Sequence, residues 1–122
     1  MIMTPEEILK GNRLIAEFMD LDVLYGDYVL HESAEKGKAT KMKYHSSWDW
    51  LMPVVDKIES LTDGTKTCLY WFEITPSFVL LYSHPQLEKI PDFEIKVENN
   101  NKLEAVWNGV VRFIEWYNQQ NK

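Results

Sequence analysis

The chain reads as an α+β domain with an N-terminal helix, an irregular segment, a central helix, about three antiparallel strands and a C-terminal helix packed on the sheet. Three observations predict this. Apolar residues recur at helical spacing near both ends and in the middle, and each stripe opens on capping residues. Between the second and third stripes the apolar period switches to two, in runs rich in β-formers. No repeat, low-complexity stretch or linker divides these elements, so residues 1–122 are expected to share one core.

The first helix opens at Thr4-Pro5-Glu6-Glu7: Thr4 caps, Pro5 suits the first turn, and Glu7 stands three residues after the cap. It is expected to run to about Met19, with Glu6, Lys10, Arg13, Glu17 and Asp20 on a wet stripe and Ile8, Gly11, Ile15, Phe18 and Met19 opposite. A glycine on the buried side implies close approach by a neighbouring element. From Leu21 to His45 the pattern is weak: Gly26 and Gly37 punctuate it, only Tyr28 to Leu30 and Lys41 to Tyr44 look extended, and a loop or loose hairpin is expected.

Ser46-Ser47-Trp48-Asp49 opens the second helix, with Ser46 as cap and Asp49 placed for the reciprocal bond. Trp48, Leu51, Met52, Val55 and Ile58 form its stripe, and Trp50 and Val54 broaden it. Pro53 removes one backbone bond, which predicts a bend or a separate 3₁₀ first turn. Lys66 to Ile74 and Phe78 to Tyr82, split by Thr75-Pro76-Ser77, read as an antiparallel pair. In the next strand Phe93, Ile95 and Val97 alternate with Glu94, Lys96 and Glu98, one face dry and one wet. Asn101, with Glu104 three residues on, starts the last helix, whose stripe is Leu103, Val106, Trp107, Val110, Ile114 and Tyr117.

Composition narrows the function classes. A net charge of -6 over 122 residues argues against general nucleic-acid binding, which needs clustered Lys and Arg. The densest basic run, Lys36, Lys38, Lys41 and Lys43, reads as a solvated loop. A single cysteine forms no disulfide within the chain and favours a reducing, cytoplasmic setting. No apolar run is long enough to span a bilayer, and no export signal is read at the N-terminus, so no membrane partner is expected.

Catalytic and metal motifs are not evident, and no cofactor is expected. His31, His45 and His84 lack a second ligand at short spacing, Cys68 reads as a small strand side chain, and five scattered glycines make no phosphate cradle. The richest chemical cluster is Tyr44-His45-Ser46-Ser47-Trp48-Asp49-Trp50, at a helix N-terminus where free N–H groups favour anions and aromatic rings grip planar ligands. Its candidate ligand-binding residues are Tyr44, His45, Trp48 and Asp49. The plainer reading makes Ser46 and Asp49 caps and Trp48 and Trp50 core.

KYHSSWDWLMPVVDKIE (Lys43 to Glu59) and KLEAVWNGVVRFIEWYN (Lys102 to Asn118) together cover somewhat over a quarter of the chain. In their wording they resemble small uncharacterised proteins of Bacteroidetes genomes and their phages or mobile elements. The resemblance implies a bacterial cytoplasm and brings no catalytic residue, cofactor or partner. The segment from Asp20 to Lys41 shares none of it.

The leading expectation is a small non-enzymatic binding or regulatory protein that contacts another macromolecule. Its motivation is an excess of large aromatics, with five Trp, six Tyr and five Phe. Trp71, sharing a strand face with Glu73, and Trp116, at the polar border of the last helix, are the candidate anchors. The alternatives are a small-molecule or anion binder using Tyr44 to Trp50, and a homodimer that buries an aromatic face.

Overall fold

A computed structural model describes residues 3–29, 40–61, 69–83, 93–98 and 101–120. Helix α1 (Pro5–Phe18) starts as its cap chemistry dictates: the Thr4 hydroxyl accepts from the Glu7 N–H at 3.1 Å and donates to the Glu7 carboxylate at 3.1 Å. It ends in a left-handed turn, with Asp20 at φ 60, the Asp20 N–H on the Glu17 carbonyl (3.1 Å) and the Leu21 N–H on the Ala16 carbonyl (2.9 Å). This is a Schellman closure in which Asp stands where glycine is commonest.

The described residues of the stretch expected to be a loop or loose hairpin form a small antiparallel sheet, in which the expected extended pieces at Tyr28 and Lys41 pair with each other and a third strand joins them. Its strands are β1 (Val23–Tyr25), β2 (Tyr28–Val29) and β3 (Thr40–Lys41), in that order. Gly26, at φ 53, supplies the left-handed residue of the β1–β2 turn. Strands of two or three residues are too short to show an alternation, so the sequence marks β2 and β3 only as short extended pieces and gives no sign of β1. Tertiary bonds hold them: Arg13 Nε donates to the Gly26 carbonyl at 3.1 Å, and the Met42 N–H to the Asp27 carbonyl at 2.7 Å.

Helix α2 (Trp48–Glu59) is capped by Ser47, one residue later than expected. The N–H groups of Ser46 and Ser47 both bond the Lys43 carbonyl (3.1 and 2.9 Å), so the chain completes a turn before the helix begins. Ser47 makes no side-chain cap bond. The Ser47 carbonyl accepts from both Trp50 (3.2 Å) and Leu51 (3.0 Å), a tight first turn, and the helix runs on through Pro53. Its buried stripe is Trp50, Leu51, Val54, Val55 and Ile58, rotated from the expected one so that Trp48 and Met52 lie outside.

The main sheet is antiparallel with order β4 (Tyr70–Ile74), β5 (Phe78–Ser83), β6 (Glu94–Glu98). The β4 strand was expected from Lys66, and residues 62–68, Cys68 among them, lie outside the described residues. Thr75 builds the β4–β5 turn: its hydroxyl donates to the Phe78 carbonyl and accepts from the Phe78 N–H, both at 3.0 Å. Helix α3 (Lys102–Gln120) is capped as expected, the Glu104 N–H donating to Asn101 Oδ1 at 3.1 Å.

Helix α3 packs on β5 and β6 on one side and on α1 on the other. It is therefore buried over more of its girth than one stripe: Ala105, Gly109, Val111 and Phe113 join Val106, Trp107, Val110 and Ile114 in the interior. The α1 contact rests on Gly11. A Cβ there would meet Trp107 Cζ2 at 2.4 Å, which is the close approach its place on the buried side implied. Lys57 joins α2 to the end of α1: its ammonium donates to the Phe18 carbonyl, lies 4.6 Å from the Phe18 ring centroid and stands 3.6 Å from Asp20. Among the described residues no helix is long and apolar enough to cross a membrane.

Candidate functional site

The β4–β6 register sorts the sheet into two faces. Tyr70, Phe72, Val79, Leu81, Ile95 and Val97 point inward to α3 and belong to the core or pack against it. The opposite face carries Trp71 beside Tyr82 beside Glu94, then Glu73 beside Leu80 beside Lys96, then Phe78 beside Glu98. Among the described residues, Trp71, Phe78, Leu80 and Tyr82 fall outside the set of side chains that pack the core, with Trp71 exposed and the other three half-buried. Trp71 is 40% exposed, among the largest apolar exposures of the described residues.

These outer side chains also contact one another. Trp71 and Tyr82 meet edge to face with centroids 5.7 Å apart, and the Tyr82 hydroxyl donates to Glu73 Oε1 at 3.0 Å. Desolvation first, then the Glu73 hydrogen bond and charge, push the Tyr82 phenol above its ordinary range. Lys96 Nζ lies 4.7 Å from the Phe78 centroid and 3.5 Å from Glu98. Among the described residues the face is thus an apolar, largely aromatic row edged by three carboxylates, Glu73, Glu94 and Glu98, against one ammonium, Lys96.

Trp116, the other expected anchor, does not share this surface. It is half-buried on the α3 side of the sheet, 4.3 Å from Phe93 and 5.9 Å from Tyr70 between centroids. The polar border of α3 looked open in the sequence because Phe93, which covers it, comes from a distant strand.

The second candidate, Tyr44 to Trp50, is split by the fold. Tyr44 is 1% exposed and turns into the core against Trp50, centroids 5.1 Å apart, while Trp48, 39% exposed, and Asp49 face solvent. Burial pushes the Tyr44 phenol up to about 12, and its hydroxyl has no hydrogen-bond partner among the described residues. An orphan buried hydroxyl destabilises the fold, so Tyr44→Phe is expected to raise stability by about 1 kcal/mol in urea unfolding. A loss of stability would instead mean that the hydroxyl has a bound partner in solution.

His45 takes part in a chain of bonds that no sequence motif announced. Asn12, polar yet 1% exposed, receives the Trp107 Nε1–H on Oδ1 at 2.9 Å and presents Nδ2 to His45 Nδ1 at 3.0 Å. Trp107 is only a donor, which fixes the Asn12 amide, which in turn requires His45 Nδ1 to be an acceptor. The neutral ring is therefore the one that fits. Partial burial first and the Lys41 charge second lower the His45 pKa, with Asp27 opposing.

With a folded pKa below the unfolded value near 6.5, His45 leaves stability intact above that value and withdraws it as pH falls through the folded pKa. Thermal unfolding from pH 8 to 5 is expected to show this decline, and His45→Gln is expected to flatten it. Equal slopes for the two proteins would contradict the assignment.

His31, His84 and Cys68 lie outside the described residues, and among those described no three His, Cys, Asp or Glu are grouped to hold a metal ion. A depression of about 320 Å³ on α1 is lined by Glu6, Leu9, Lys10, Arg13, Leu14 and Glu17, of mixed charge and from one helix. Comparison with family models, with curated proteins and with solved structures finds no match to this chain.

Proposed function

We propose that the protein is a non-enzymatic binding module that docks the outer face of its β4–β5–β6 sheet on another protein, in the reducing cytoplasm of a bacterial cell. One observation carries the reading: Trp71, Tyr82, Leu80 and Phe78 form a row on the face turned away from the core. Rigid aromatic side chains give large contact area with little entropy left to lose, which is why they dominate interface energetics. The single cysteine supports the reducing setting.

The test is a photo-crosslinking amino acid at position 80, at the centre of the face, with a control at position 6 on α1, each expressed in the source cell. Adducts specific to position 80, lost in a Trp71→Ala background that keeps its melting temperature, are the expected result. Adducts equal at both positions would refute the reading. An adduct of twice the chain mass would make the partner a second copy.

A further inference from the structure

The outer sheet face shows, within the molecule, which chemistry it accepts. Its Phe78–Glu98 end seats an ammonium: Lys96 Nζ is 4.7 Å from the Phe78 ring centroid with the Glu98 carboxylate 3.5 Å away. A cation over an aromatic ring, with a carboxylate beside it, combines quadrupole attraction with a charge-assisted contact. The other end repeats those components on a larger scale. Trp71 and Tyr82 are directly paired across β4 and β5, Tyr82 is followed by Glu94 on β6, and Glu73 lies next along β4 on the same face. Trp is the strongest aromatic partner for a cation, and Arg the commonest cation to use one.

We propose that the partner segment seated on this face is basic, an Arg- or Lys-bearing stretch of a protein whose cationic side chains lie over Trp71 and Tyr82 and between Glu73 and Glu94. This rests on the docking reading above and deepens it by naming the chemistry of the partner. Charge complementarity decides the occupant. Among the described residues the face presents three carboxylates and one ammonium, on a chain of net charge -6, so an acidic segment, like a nucleic-acid backbone, would be repelled at the same place. The dimensions agree. Three strands place Trp71 and Glu94 about 10 Å apart across the sheet, the width that one extended segment or one helix covers.

The experiment uses the full chain, labelled for amide and indole NMR, titrated with four ten-residue peptides: Arg-rich, Lys-rich, neutral Gly/Ser and Glu-rich. The expected result is that the two basic peptides shift the Trp71 indole and the amides of Leu80, Tyr82 and Glu94, the Arg-rich one more tightly. Trp71→Ala should weaken the Arg-rich peptide at least about tenfold and Glu94→Lys about fivefold. Both positions are exposed, so both variants should keep the parent spectrum elsewhere. Preference for the Glu-rich or neutral peptide, basic-peptide shifts centred elsewhere, or affinity unchanged in both variants would each overturn the proposal. The two readings fail separately. Crosslinks from position 80 to a partner segment without Arg or Lys sink the basic occupant and leave the docking face standing, whereas equal adducts at positions 80 and 6 sink the docking face itself.

Discussion

Phe113→Ala is expected to lower stability by about 4 kcal/mol, which for a chain of this size moves the melting temperature down by roughly 15 °C. Phe113 has no exposed surface, and its ring touches aromatics from every layer of the α3 side. Centroid separations are 4.7 Å to Tyr70 on β4, 5.5 Å to Tyr117 on its own helix, 5.7 Å to Phe93 at the start of β6 and 6.3 Å to Phe18 on α1. Truncation removes the apolar transfer term and leaves a hole among rigid rings that do not collapse into it, so the loss belongs at the upper part of the range for such changes. Whole domains are stable by only about 5–15 kcal/mol, so the variant is expected to sit near its folding threshold at 37 °C. Urea unfolding followed by near-ultraviolet circular dichroism measures this. A loss below about 1 kcal/mol would mean that the aromatic cluster is not packed as described.

Asn12→Leu is the second large effect, expected at about 3 kcal/mol, because it strands one buried and one half-buried partner at once. The Trp107 N–H loses its acceptor and His45 Nδ1 loses its donor, while a side chain of similar volume keeps the α1–α3 contact filled. Asn12→Asp separates hydrogen bonding from packing. Its carboxylate still accepts from Trp107 and now offers His45 an acceptor, favouring the protonated ring. The folded His45 pKa then rises above the unfolded one, and the pH dependence reverses: stability is present below the unfolded pKa and is lost as pH rises through the folded pKa. A variant with the parent slope would show that His45 and Asn12 are not coupled.

The elements with complete local signals were legible in the sequence. Thr4 and Asn101 cap α1 and α3 through side chains three residues from their donors, and the inward residues of β4, β5 and β6 alternate as a half-buried sheet requires. Gly11 was readable as a close approach because helix propensity disfavours glycine there. What was hidden depends on partners distant in sequence. Asn12 is buried because Trp107 and His45, 95 and 33 residues away, use both ends of its amide. The α2 stripe is centred nearer Trp50, which meets Tyr44 from the preceding segment, and Trp48 lies outside it. Trp71 was identifiable as an anchor candidate from its strand neighbours. The aromatic row was not, since Phe78, Leu80 and Tyr82 join Trp71 only through the β4–β5 register.

The openness of that row is the claim on which the functional reading depends, and solvent paramagnetic relaxation measured on the indole N–H protons tests it most directly. With a soluble gadolinium chelate added to the folded protein, the Trp71 indole signal is expected to be attenuated strongly and that of Trp107, held inside against Asn12, hardly at all. A Trp71 signal as well protected as that of Trp107 would contradict the account.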